Sequence, residues 1–146
     1  MNTRLNIATL EPQAYKAMYA LEAYLAATGL TKTQKELIKI RASQINGCAF
    51  CIDMHTKDAL KNGETTQRIF LLNAWRETDL FTEEEKVLLA ITEEVTLVHQ
   101  HGLTDETYAK AQQFFDETRI AQIIMAIATI NAWNRIAISS RTAVPK

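Results

Sequence analysis

Asn46-Gly47-Cys48-Ala49-Phe50-Cys51-Ile52-Asp53-Met54-His55 is the stretch from which fold class and chemistry are both read. It carries both cysteines of the chain and one of its three histidines. Gly47 is a natural break, so one helix ends before it and another starts after it. On the second helix, residues three and four apart share a face. At about 100° per residue, Cys51 lies roughly 60° from Cys48, and His55 roughly 20° from Cys48. Two thiols and an imidazole then project as one cluster. The thiolate is the reactive form of cysteine, so this chemistry needs a neighbour that lowers a thiol pKa. His55, at i+4 from Cys51, is placed to take or share its proton. Cys48, in the first turn, meets free backbone N–H groups that favour an anion. Cysteines three apart in a helical turn also come close enough to bridge, so the pair can cycle between dithiol and disulfide. Two other readings stand beside this one. Cys48, Cys51 and His55 are plausible Zn²⁺ ligands lacking an adjacent fourth, and buried cysteine is often simply a small hydrophobe.

Working outward, helical periodicity continues on both sides. Upstream, Thr31 or Thr33 caps a helix carrying Leu37, Ile38, Ile40, Arg41 and Ile45. Before it, Pro12 opens a helix with Tyr15, Met18, Leu21, Tyr24 and Leu25, closed by Gly29. Tyr15, Tyr19 and Tyr24 read as packing. Downstream, the cysteine helix runs through Lys61 to a stop at Gly63, and Thr65 or Thr66 opens a short helix towards Trp75. Thr82-Glu83-Glu84-Glu85 is a capping box before Val87-Leu88-Leu89, so the acidic triplet marks a helix start. That helix is expected to reach about His99, and Thr104-Asp105-Glu106 caps another. His99 and His101 read as favourable charges at a helix end.

The last helix is the most apolar, with 14 hydrophobic residues among the 19 from Ile120 to Ile138. Its length approaches a membrane span, but Gln122, Asn131, Asn134 and Arg135 interrupt it. It is expected to be buried all round, in the centre of a bundle and against another subunit. No useful run alternates with period two, so the fold class is all-α, an oligomeric helical bundle of about seven helices in a single domain, 1–146.

Composition bounds the function further. A net charge of −1 over 146 residues gives no reason to expect nucleic acid or an anionic membrane as partner. Two cysteines in one CxxC suit a reducing cytoplasm rather than a disulfide scaffold. Met-Asn-Thr-Arg-Leu-Asn has no apolar core of a signal peptide.

The residues together resemble the carboxymuconolactone decarboxylase-like superfamily, specifically its alkyl hydroperoxidase (AhpD-like) branch. The resemblance rests on Cys48-Ala-Phe-Cys51-Ile-Asp-Met-His55, on Glu36 twelve residues before Cys48, and on Ser43-Gln-Ile-Asn-Gly47 leading in. Lys57-Asp-Ala59, Trp75-Arg76 and Asn131-Ala-Trp-Asn-Arg135 extend it over nearly the whole chain. It implies an all-helical subunit assembling into trimers or hexamers. It implies a cofactor-free, metal-free peroxidase that reduces organic hydroperoxides at the expense of a thiol or dithiol reductant not identified by the sequence. By the same resemblance Cys51 is the peroxidatic sulfur, Cys48 resolves it, His55 is the histidine, and Glu36 is the carboxylate of the proton relay. A non-peroxidatic dithiol oxidoreductase, or a redox-responsive protein, would use the same residues. Decarboxylases of the superfamily typically lack the CxxC pair. Phe50 departs from the better-characterised hydroperoxidases, where a histidine often precedes the second cysteine, and makes the pocket greasier.

Geometry alone would place Lys39 opposite His55 in a hairpin about Gly47, with Glu36 one turn, about 5 Å, further along. Asp58, at i+3 from His55, is an equally spaced orienter whose other reading is a solvated helix charge. Arg41 is either a support for the thiolate or a surface charge.

Overall fold

The computed structural model describes residues 3–145. Eight α-helices follow one another among those residues: α1 Ile7–Leu10, α2 Pro12–Ala27, α3 Lys32–Asn46, α4 Ala49–Lys61, α5 Thr66–Leu71, α6 Glu83–Thr96, α7 Asp105–Ala111 and α8 Glu117–Ser140. A 3₁₀ segment, Leu72–Glu77, continues α5, and no strand occurs among the described residues. The short α1 was not legible in the periodicity.

Local chemistry explains the boundaries. Thr31 accepts from the Gln34 amide at 3.1 Å while the Gln34 side chain accepts from the Thr31 amide at 2.9 Å. Thr82 and Glu85 form the same reciprocal box, the one expected from sequence. Gly47 adopts φ 71°, the left-handed conformation that costs glycine least, and closes α3. The Cys48 amide then reaches back to the Ser43 carbonyl at 3.0 Å, and the chain reverses into α4 within two residues. The α6 helix ends at Thr96 rather than near His99, the chain continuing as turns to His101.

The helix at the centre is not the most apolar one. The α3 helix packs against α4, α6 and α8. Leu37, Ile38, Ile40 and Ala42 are buried there at 2% exposure or less, each large side chain contributing about 1.5–3 kcal/mol of transfer free energy. The α8 helix lies against α2, α3, α4 and α6 and buries Ile120, Ile123, Ile127 and Ile130. It is not buried all round within the chain: Ala121, Met125, Ala128, Arg135 and Ile138 form an exposed stripe. That stripe corrects the expectation of a wholly buried helix. No helix among the described residues is long and apolar enough to cross a membrane.

Candidate active site

The site is built on the α3–α4 hairpin. Because Gly47 turns the chain so tightly, Cys48 becomes the N-cap of α4, and its Sγ accepts from the Cys51 amide at 3.4 Å. Cys48 and Cys51 are joined by a disulfide with a Cα–Cα distance of 5.4 Å. Both cysteines are buried, but only Cys51 faces a cavity of about 320 Å³, which His55 also lines.

His55 Nδ1 meets Glu36 Oε2 at 2.9 Å. Glu36 on α3 thus reaches His55 on α4 directly across the hairpin. The 3.0 Å bond from the Cys48 amide to the Ser43 carbonyl closes the end of α3 just before α4 begins. With Nδ1 engaged by a carboxylate, Nε2 is the ring nitrogen left for chemistry. Asp58 does not reach the imidazole; it pairs with Lys61 Nζ at 3.1 Å on the outer surface. Arg41 is likewise turned away, its Nε bonded to Glu93 Oε1 at 2.8 Å. His99 and His101 lie in exposed turns. Among the described residues, no group of three or more His, Cys, Asp or Glu is arranged to hold a metal ion.

A polar network fixes the hairpin to its neighbours. Asn46 Nδ2 donates to Asn131 Oδ1 at 2.9 Å and to Asn134 Oδ1 at 2.8 Å, both on α8. Asn134 Nδ2 donates to Ser43 Oγ at 2.9 Å, and Asn131 Nδ2 to Thr96 Oγ1 of α6 at 3.1 Å. The turn that carries Cys48 is thus held from two other helices by satisfied buried groups, which specify position strongly.

Phe50, expected to make the pocket greasier, is an apolar wall of the cavity, and Met54 and Ile130, not singled out by sequence, are others. Tyr15 and Tyr19, read as packing, line the cavity with Trp133, whose ring stands 5.3 Å and 5.7 Å from theirs. Burial, with the neighbouring Tyr19, holds the Tyr15 hydroxyl above its ordinary pKa, so it stays a neutral donor. Glu22 and Lys39 form an ion pair at 2.9 Å in the same wall, and Trp133 Nε1 donates to Glu22 at 3.0 Å. The signal that could have found these residues is long-range: Glu22 and Trp133 are 111 positions apart.

Comparison with known proteins agrees with this architecture. Residues 12–94 match the carboxymuconolactone decarboxylase family model. The chain is 44% identical over 139 residues, 95% of each protein, to the uncharacterised protein YdfG of Bacillus subtilis. It superposes with a TM-score of 0.96, at 42% identity and over 99% of both chains, on an Agrobacterium tumefaciens protein of unknown function described as a candidate antioxidant defence protein AhpD. It shares its fold, at a TM-score of 0.84 and 17% identity, with an uncharacterised peroxidase-related protein from Ralstonia eutropha described as an alkylhydroperoxidase AhpD core, covering 95% of this chain and 74% of that one. An all-helical subunit with a CxxC pair at the head of its fourth helix, matched over most of its length, thus belongs to the carboxymuconolactone decarboxylase family and has its AhpD-like fold.

Proposed function

We propose that this chain, residues 1–146 as one AhpD-like domain, is a thiol-dependent peroxidase that reduces organic hydroperoxides through Cys51, Cys48, His55 and Glu36. One observation carries the reading: of the two bridged sulfurs, only Cys51 lines the cavity, and it does so beside a histidine already held by a part-buried carboxylate. A group that must meet substrate needs that access, and a resolving group needs only its partner.

The steps follow from these positions. His55, oriented by Glu36, takes the Cys51 proton, and the thiolate attacks the terminal oxygen of the hydroperoxide. A sulfur–oxygen bond forms as the oxygen–oxygen bond breaks, and the electron pair leaves on an alkoxide. The alkoxide recovers the proton held by His55 and departs as the alcohol. Cys48 sulfur then attacks the sulfenic acid, water leaves, and the Cys48–Cys51 disulfide closes. A thiol or dithiol reductant restores the pair by exchange. No cofactor is required by this sequence of steps. The mostly apolar walls favour an organic hydroperoxide over a small polar one. The exposed stripe of α8 supports assembly of several copies into a trimer or hexamer.

Cys51→Ser tests the assignment. It is expected to abolish hydroperoxide turnover and sulfenic acid trapping, while Cys48→Ser accumulates the sulfenic acid. Turnover by Cys51→Ser at the parental rate would overturn the roles. Disulfide formation by hydroperoxide no faster than a free thiol shows would instead indicate a dithiol oxidoreductase without a peroxide pocket.

A further inference from the structure

The Lys39–Glu22 pair has no part in the steps above, yet it lies in the wall of the same cavity. Lys39 is 8% exposed, unusual for a lysine. Its place on α3 is fixed by two contacts that bracket it: Glu36 against His55, and the Ser43 carbonyl against the Cys48 amide. Both Lys39 and Cys51 line the cavity, so the ammonium and the sulfur share one space bounded by Phe50, Met54 and Ile130. Charges in an enclosure of low polarity are weakly screened from each other.

The ammonium has three N–H donors and, among the described residues, one acceptor, Glu22 Oε2 at 2.9 Å. Glu22 is itself fixed, its other oxygen accepting from Trp133 Nε1 at 3.0 Å. Glu22 therefore aims Lys39 without using up its donors. A purely structural ion pair joining α2 to α3 would account for the contact, but a pair whose carboxylate is partly open to solvent adds little stability. Its placement in the wall of the cavity that Cys51 lines is what needs a reason. Glu22 weakens the attraction of Lys39 for any anion in the cavity but leaves two of its N–H donors free to meet negative charge there.

We propose that Lys39, aimed by Glu22, is the electrostatic positioning group of the cavity, steadying negative charge on Cys51 sulfur so that the thiolate persists at neutral pH. This deepens the peroxidase reading and rests on Cys51 being the attacking sulfur. The other titratable groups lining the cavity are Tyr15, Tyr19 and Glu22 from α2 and His55 from α4, with Glu36 of α3 against His55; the α8 residues in the wall carry no charge. Lys39 is the one cation among them that does not depend on a histidine proton.

The test is a pH titration of Cys51 thiolate absorbance in reduced protein carrying Cys48→Ser, so that one thiol alone is read. Lys39→Met is expected to raise the Cys51 pKa by about one unit, and hydroperoxide attack at pH 7 to slow by up to about tenfold. Lys39→Arg keeps the parental value. Glu22→Gln removes a negative charge and lowers the Cys51 pKa. Opposite signs are the signature, since simple loss of packing would move both variants the same way. Shifts of one sign, no shift, or Lys39→Arg behaving as Lys39→Met would overturn the proposal. Should Lys39→Met fail to fold, Glu22→Gln and Lys39→Arg still give the sign. The titration needs no peroxide, so a parent protein inactive on hydroperoxides would end the peroxidase reading alone. A flat titration in an active parent would end only the role of Lys39.

Discussion

Two carboxylates meet at α3 with nearly equal shielding: the side chain of Glu36 is 15% exposed and that of Glu93 14%. Burial does not separate them; their partners do. Glu93 accepts from Trp75 Nε1 at 2.8 Å, Arg41 Nε at 2.8 Å and Arg76 at 2.6 Å. Burial pushes its pKa up, but the bonds from Trp75, Arg76 and Arg41 outweigh that and hold it below the ordinary carboxylate range. Such a group is charged, saturated and fixed. Glu36 has a single charged partner, His55, whose own charge is set by a proton. A carboxylate surrounded by permanent donors can only hold structure together. One facing an imidazole can pass on the consequence of a proton arriving or leaving. The same residue type, equally buried, is thereby fitted for opposite work.

The largest effect expected from this contrast is chemical. Glu36→Gln keeps the shape and removes the charge, so the contact that orients His55 is weakened. Hydroperoxide turnover should fall by about 10²–10⁴-fold, the range for general acid–base participation. The melting temperature should move little. Equal losses of stability from Glu36→Gln and Glu93→Gln, with turnover intact in both, would erase the distinction between the two carboxylates.

Glu93→Gln should do the reverse. Arg41 is left half-compensated in a shielded position, and hydrogen bonds to a charged group are weakened at a cost of about 1–3 kcal/mol. At about 2–4 °C per kcal/mol for a chain of this size, calorimetry should record a clear drop in melting temperature. Turnover should stay within about twofold. The pH dependence gives a second readout. The folded pKa of Glu93 lies below its unfolded value, so its stabilisation is complete above the unfolded value of 4.5 and is lost as pH falls through the lower, folded value. Glu85 adds a contribution of the same sign: burial raises its pKa, but Arg68 and the Thr82 cap outweigh this and lower it. The parent should therefore lose stability on acidification below about pH 4.5, and Glu93→Gln should show a shallower loss. An unchanged acid limb would mean that Glu93 is not held low in the folded state.

What sequence made legible follows from the range of the interactions. The capping box at Thr82 and the stop at Gly47 are decided within a few residues, and both are observed, as are Cys51 and His55 facing one cavity. Cys48, expected in the first turn of that helix, is instead its N-cap with extended backbone and does not line the cavity. Spacing did not decide between Glu36 and Asp58 as the partner of His55, and the structure brings Glu36 to it at 2.9 Å. Periodicity gives the angle of a residue about its helix but not which side chains of two helices meet. The central role of α3 was hidden for a related reason. Gln34, Lys39 and Ser43 on it are polar, yet all three are buried because partners arrive from elsewhere in the chain. Glu84 reaches Gln34, Glu22 reaches Lys39, and Asn134 reaches Ser43. Trp133 is one more such residue: its place in the cavity depends on α2 crossing α8.

The smallest effect expected is the sharpest check on which carboxylate serves His55. Asp58 lies at i+3 from His55, and spacing alone gave it the same claim as Glu36. In the structure its side chain is 43% exposed and its partner Lys61 75% exposed, so their ion pair is screened by solvent. Asp58 also lies in the last turn of α4, where a negative charge faces the negative end of the helix dipole. Removing that charge loses a weak pair and relieves a weak repulsion, and the two nearly cancel. Asp58→Asn should therefore change stability by less than about 0.5 kcal/mol and leave hydroperoxide turnover and its pH profile at the parental values. A turnover loss approaching that of Glu36→Gln would mean that helix α4 orients its own histidine. The 2.9 Å contact between α3 and α4 would then be a structural tie and not the start of a proton path.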